Sequence, residues 1–397
     1  METRRTSVAL SIVLFAVGCG GTGTTTSALK TGGESGAAAS SGGSSGAGAG
    51  AGVVSEGNDP PPAHIVTDCS ALGPVDQWDE ITPAGVDPTK NGFLSVVSDP
   101  NTEGTVYAGT EKAGLWRSTN CGASWTKINT GRDADVLNSG SLWFLKADPG
   151  KADSLYLGSL YGSDPSLLKS TDGGANFDSL FPAGSNVASS VSYNFFQDAG
   201  IDITNPKHVV ASFHADCTGD TGPMCLAESN DSGQTWRLFK GPRPGWGERA
   251  GMLVFDATTY IYHTWGDGIF YTHDSGATWE NVASGSNFQM YKASDGYFYL
   301  GSAYGMVRSQ DGHTWTKVGG TAPNGDALVG DGVRIFTAWG DTSPQFMTAM
   351  ETDATTWTSW KVPDKFTHRV GTFAYDNGHH ILYSANTTDG LWRVVTK

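Results

Sequence analysis

The chain has 397 residues, of which 16% are charged, with 54 Gly, 13 Trp and 13 Tyr and a formal net charge of −15. Sparse charge with abundant Gly and aromatics argues against a mainly helical protein and for short strands joined by tight turns. The acidic balance excludes nucleic acid and anionic membrane surfaces as expected partners, and suits a protein kept soluble outside the cell.

Arg4 and Arg5 precede the apolar run SVALSIVLFAV (7–17), which is too short to span a bilayer as a mature helix. This is the pattern of an export signal over residues 1–18. It ends in AVGC (16–19), which resembles the lipobox of bacterial lipoproteins, with Ala16 where Leu is usual. The resemblance implies cleavage before Cys19, lipidation of Cys19 and attachment to the bacterial cell envelope. The alternative is an ordinary cleaved signal, Cys19 incidental and a secreted product.

Residues 19–63 are rich in Gly, Ser and Ala and hold few large apolar side chains, so burial cannot offset their ordering entropy. They read as a flexible tether ending in DPPPA (59–63). A GxSxG match inside it, GGSSG (42–46), has no strand before it or helix after it and is no nucleophile elbow. Export puts the remaining cysteines in an oxidising compartment. Cys217 and Cys225 bracket TGDTGPM, a spacing suited to a local staple, which leaves Cys69 to pair with Cys121.

Residues 64–397 repeat a module. The stretch 94–128 holds four short runs, LSVVS, TVYAG, GLWRS and SWTKI, split by turn residues, the signature of antiparallel strands. The pattern recurs at 142–180, 195–239, 251–282, 288–318 and 327–362. A three-strand version at 371–396 can be completed by DQWDEIT (76–82). Four-stranded units at such a period predict an all-β, seven-bladed propeller whose ring is closed by an N-terminal strand.

Five modules carry a near-copy of one string between their third and fourth strands: STNCGASW (118–125), STDGGANF (170–177), SNDSGQTW (229–236), THDSGATW (272–279) and SQDGHTW (309–315). TDATTW (352–357) has lost the Gly. Asp can accept hydrogen bonds within its own turn, and Gly supplies a positive φ. These strings resemble the Asp-box, or BNR repeat, of sialidases, xyloglucanase-type glycoside hydrolases, sortilin-type receptors and a photosystem assembly propeller. The resemblance implies a propeller with the boxes on the rim away from the binding face, and a structural role for each box. It does not carry a catalytic site over. Where sialidases place the first of three substrate-clamping Arg, this chain reads NGFLSVV (91–97), and xyloglucanase-type enzymes use a cleft between two propellers, of which this chain has one.

The opposite rim would carry the loops between second and third strands and the connections between blades. Five consecutive blades put an aromatic at one point: Tyr161, His214, Trp265, Tyr304 and Trp339. Asp164, Asp216, Asp267 and Asp341 follow closely, and the connections add Arg132, Trp246, Glu248, Arg249, Asp326 and Arg369. Aromatic rings and carboxylates around one mouth suit sugars, and glycoside hydrolysis needs a pair of carboxyl groups, one kept protonated. Asp267, Asp341 and Glu248 are the catalytic candidates. Tyr161, Asp164, His214, Trp246, Arg249, Trp265, Tyr304, Trp339 and Arg369 are the substrate-binding candidates. The same Trp-Gly-Asp pattern also serves as turn chemistry copied by duplication.

His379 and His380 beside the turn DNG (376–378) read as a solvated hairpin tip, so no metal is expected, and no cofactor motif is present. The expected function is a monomeric, exported propeller that binds polysaccharide at its loop-rich face, which leaves glycoside hydrolysis open. One alternative is a non-catalytic propeller that binds protein in assembly or adhesion. A second is a sialidase-like enzyme on acidic sugars, with Arg132, Arg249 and Arg369 as a different clamp.

Overall fold

The computed structural model describes residues 65–66, 69–128, 130–162, 164, 166–192, 196–265, 267–284, 289–302 and 305–397. The export signal, Cys19, the tether and the candidate Tyr304 lie outside them. The described residues form seven four-stranded antiparallel sheets, five of them from strands consecutive in the chain, and in blade one the short strand Thr102–Glu103 intervenes and pairs in parallel with Ile65–Val66. Blade one is Phe93–Ser98, Val106–Thr110, Leu115–Ser118 and Thr126–Lys127. Blade seven takes Phe373–Asp376, Ile381–Ala385 and Leu391–Val395 from the C-terminus and its outer strand, Trp78–Glu80, from the N-terminal side. Trp78 pairs with Val394 and Glu80 with Trp392, so the ring is closed as the sequence predicts.

The second strand of a blade, covered on both faces by neighbouring sheets, is mostly apolar or small, with His263 in blade four and Arg334 in blade six as exceptions. Val106–Thr110, Leu155–Leu160, Val209–Phe213, Tyr260–Thr264 and Ile381–Ala385 are buried at every position. Aromatic side chains fill the wedge between sheets. Phe144 of blade two meets Phe196 of blade three at 4.8 Å, and Phe346 of blade six meets Phe373 of blade seven at 5.6 Å. Each such ring contributes about 2 kcal/mol by burial alone. Two short helices, Ala134–Ser139 and Asn186–Ser190, carry the chain from blade one to two and from two to three.

The repeated string forms one turn in its four full-length copies, and the copy at 309–315, one residue shorter, forms a tighter version in which Asp311 accepts from His313 N at 2.9 Å and Thr314 N at 2.7 Å. At Asp274, Oδ1 accepts from Thr272 Oγ1 at 2.8 Å and from the Thr278 amide at 2.8 Å, while Thr272 Oγ1 accepts from Gly276 N at 3.0 Å. The Thr278 hydroxyl and amide hold the Asp274 carboxyl down to about 2. Asn120, Asp172 and Asp231 repeat the pattern. Gly276 lies at φ +79, and a Cβ there would stand 2.2 Å from Phe239 of the preceding blade. The glycine is thus needed both for the turn and for blade-to-blade contact. At 352–357, where Gly is missing, a tight reversal replaces that turn: Met350 pairs with Asp353 at the head of the strand Asp353–Ser359.

Both disulfides form. Cys217–Cys225 closes a local loop in blade three, and Cys69–Cys121, with Cα atoms 5.5 Å apart, joins the segment before the closing strand to blade one's repeated turn.

Candidate functional site

Antiparallel alternation decides which loops share a rim. A first strand that starts on one rim returns the second strand to it, so blade connections and second-to-third loops lie together, with the repeated turns on the other rim. The first strands surround a central channel of about 820 Å³. One mouth of the channel is lined by Trp143, Tyr161, His214, Glu248, Arg249 and Arg369.

Arg249 organises this mouth. It stands just before Gly251–Val254, the first strand of blade four, in left-handed conformation at φ 50. Its Nη1 is 3.8 Å from Oδ1 of Asp326 and its Nη2 is 3.8 Å from Oδ1 of Asp341. Two oxygens on either side of one planar guanidinium are no more than about 10 Å apart. The guanidinium also lies over the Trp265 ring at 5.8 Å. Arg369 stands 4.9 Å over the ring of Trp143. Burial holds its guanidinium below the usual range, and the like charge of Arg249 adds to the effect.

The three catalytic candidates are all open to solvent. Asp341 is 75% exposed, Glu248 58% and Asp267 43%. Asp267 pairs with Arg243 at 2.9 Å and is not part of the channel lining, and Glu248 pairs with His214 at 3.2 Å. The most enclosed carboxyl at this mouth is the half-buried Asp326. Burial pushes it up, Arg249 opposes that shift, and Asp341 adds to it. At this mouth Asp326 is therefore less exposed than Asp267, Asp341 or Glu248.

The binding candidates divide. Tyr161 (64%) and Trp265 (51%) are exposed, and Tyr161, His214, Arg249 and Arg369 line the channel. Trp246 packs against His214 with ring centroids 3.9 Å apart and planes tilted by 48°, and supports it from outside the lining. Trp339 ends the second strand of blade six, half-buried and away from the channel wall, and its buried indole N–H has no partner among the described residues. Asp164 is exposed and apart from the channel. Arg132 forms a two-bonded pair with Asp178 at 2.9 and 3.0 Å in solvent, so a clamp with Arg249 and Arg369 lacks its third member.

Sequence reading passed over Trp143 and the channel wall. Lys146 lies 3.1 Å from Asp198, and Asp198 also accepts from the Met252 amide at 2.7 Å. Burial pushes Asp198 up and brings His263 down to about 3, Lys146 adding to the latter shift. The signal was present: Lys146, Gln197 and Asp198 are polar residues in otherwise apolar first strands, SLWFLKA and FQDAGI.

No protein-family model matches the chain. No curated protein matches it either. Among solved structures, it is similar to a GH74 xyloglucanase from Xanthomonas campestris, with a TM-score of 0.56 and 16% identity over 82% of this chain and 54% of that one. It is also similar to YCF48 bound to D1 peptide, with a TM-score of 0.54 and 16% identity over 85% of this chain and 100% of that one. A third is the extracellular domain of BT3049 from B. thetaiotaomicron, with a TM-score of 0.55 and 10% identity over 77% of this chain and 40% of that one. The chain therefore spans about half the length of the xyloglucanase. At these identities the likeness is one of fold: the protein is a seven-bladed β-propeller with the architecture of these proteins.

Proposed function

We propose that this propeller binds a polysaccharide across the Arg249 mouth. The observation that carries the reading is the placement of one guanidinium between Asp326 and Asp341 and over Trp265. Exposed aromatic side chains at Tyr161 and Trp265 suit sugar C–H groups, while Arg249, Arg369 and the carboxylates offer donors and acceptors for hydroxyls. If the bound chain is cleaved, the half-buried Asp326 is the group suited to give a proton, with the exposed Asp341 as the second carboxyl group. Their upper separation admits both the retaining and the inverting arrangement. The reading includes an export signal at 1–18, a lipid on Cys19, a tether over 19–63 and a monomeric propeller from 64 onward. Mass spectrometry of the membrane-extracted protein tests the lipid.

A glycan array together with a reducing-sugar assay tests the function, with Asp326→Asn and Asp341→Asn as comparison proteins. Glycan binding by the parent that weakens in the variants supports the reading, and sugar release lost in both supports hydrolysis. Silence on every glycan sinks it in favour of a peptide ligand. That second reading draws on the match to the whole of YCF48, a propeller solved with a peptide bound.

A further inference from the structure

The covalent bridge that closes the ring has a histidine beside it. A ring nitrogen of His379 and both sulfurs of Cys69–Cys121 lie within 4.8 Å of one another, the one such three-residue grouping among the described residues. The three come from separate places: the segment before the closing strand, blade one's repeated turn, and the hairpin between the first two strands of blade seven. His379 is not the solvated tip that its sequence context predicts. Its side chain is 13% exposed, and its Nδ1 stands 3.2 Å from Oδ2 of Asp376. Asp376 is itself fixed by the amides of Gly104 at 2.6 Å and Gly378 at 2.9 Å.

A carboxylate that engages one ring nitrogen sets the ring's orientation, which is how metal-binding imidazoles are usually held. In a tetrahedral site with sulfur ligands two thiolates stand about 3.8 Å apart. Side-chain rotation reaches that spacing from Cα atoms 5.5 Å apart. Cys121 is fully buried, whereas Cys69 is half-buried, which gives a cation its way in and a fourth, solvent ligand.

We propose that reduction of Cys69–Cys121 by a thiol turns the ring closure into a site for a borderline-soft divalent cation, Zn²⁺ being the best fit, held by the two sulfurs and His379. Two thiol molecules pass two electrons and two protons to the S–S bond, giving two cysteine thiols and one reductant disulfide. Cation binding then releases the two thiol protons. The metal restores a cross-link between blades one and seven that reduction removes.

The test is Co²⁺ titration of the full chain after anaerobic reduction and removal of the reductant, followed by sulfur-to-cobalt charge-transfer absorption and the visible ligand-field bands. The reduced parent is expected to take up one more equivalent than reduced Cys69→Ser, and His379→Gln to weaken that equivalent at least about 10-fold and alter its visible bands. Equal uptake by parent and Cys69→Ser overturns the proposal, as does a His379→Gln chain with unchanged affinity and bands. Should Cys69→Ser fail to fold, His379→Gln, which keeps both cysteines and whose folding is checked in the oxidised state, decides alone.

Discussion

Asp79, near the start of the propeller, pairs across an antiparallel ladder with Arg393, near its end, and their side chains meet at 3.5 Å. Arg393 also donates to the carbonyl of Cys121 and, at 2.6 Å, to that of Ala71, so one side chain ties the closing strand, blade seven and blade one. Its side chain is 5% exposed. Removing one partner of a buried pair leaves the others without compensation, at about 3–5 kcal/mol. Arg393→Met is expected to lower the unfolding free energy in urea by about 3 kcal/mol. A loss below about 1 kcal/mol, the range of a surface pair, would show that this residue does not hold the ring.

Two glycines with positive φ separate backbone strain from packing. Gly276 has Phe239 against it, whereas Gly184, at φ +86, has nothing within 4 Å of a would-be Cβ. Gly184→Ala is expected to cost about 1 kcal/mol, the strain of the left-handed region alone. Gly276→Ala adds overpacking and is expected to cost about 2–4 kcal/mol. Equal melting temperatures for the two variants would contradict the blade-to-blade role of the turn.

His208 is fully buried between Oε1 of Glu228 at 3.0 Å and Oδ2 of Asp202 at 3.4 Å, with Arg237 on the far oxygen of Glu228 at 2.5 Å. Burial disfavours the imidazolium, yet the two carboxylates outweigh burial and raise His208 above its ordinary value. A raised folded-state value means the contribution is fully present below the unfolded value, about 6.5, and lost as pH rises through the folded one. For Glu228 burial is also the largest influence, but His208 and Arg237 pull it below its ordinary value. Its contribution is therefore present above about 4.3 and lost as pH falls through the folded value. Urea midpoints of the wild-type chain should peak in the mildly acidic range and decline toward alkaline pH, and His208→Gln should flatten that decline. An unchanged slope in the variant would refute the assignment.

At the mouth, Arg249→Ala is expected to weaken glycan binding at least about 10-fold, since it removes a charged donor and unties Asp326 and Asp341. Asp267→Asn, outside the channel and paired with Arg243, is expected to leave affinity within about 2-fold of wild type. Calorimetric titration with the glycan found on the array gives both numbers. A larger effect from Asp267→Asn than from Arg249→Ala would move the site outward along the rim.

The propeller was legible in the chain because each blade is built locally. Strands consecutive in sequence become neighbours in one sheet, so LSVVS, TVYAG, GLWRS and SWTKI display the unit before it folds. The repeated Ser/Thr-x-Asp-x-Gly turn and the lone strand at Trp78–Glu80 were readable for the same reason, as was the Cys69–Cys121 bridge that closure brings together. Which carboxylate is shielded at the mouth was not readable. Asp267 follows an aromatic in sequence, yet shielding depends on residues from other blades. Asp326 is half-buried because the heads of blades four, six and seven converge on it, with Arg249 and Arg369 supplying the charge. His379 likewise looks like a turn residue until Asp376 and the bridge enclose it. Short-range spacing decides strand, turn and blade, because those interactions are made within a few residues. Solvent exposure and charge environment are sums over the whole ring, and only the closed tertiary structure decides them.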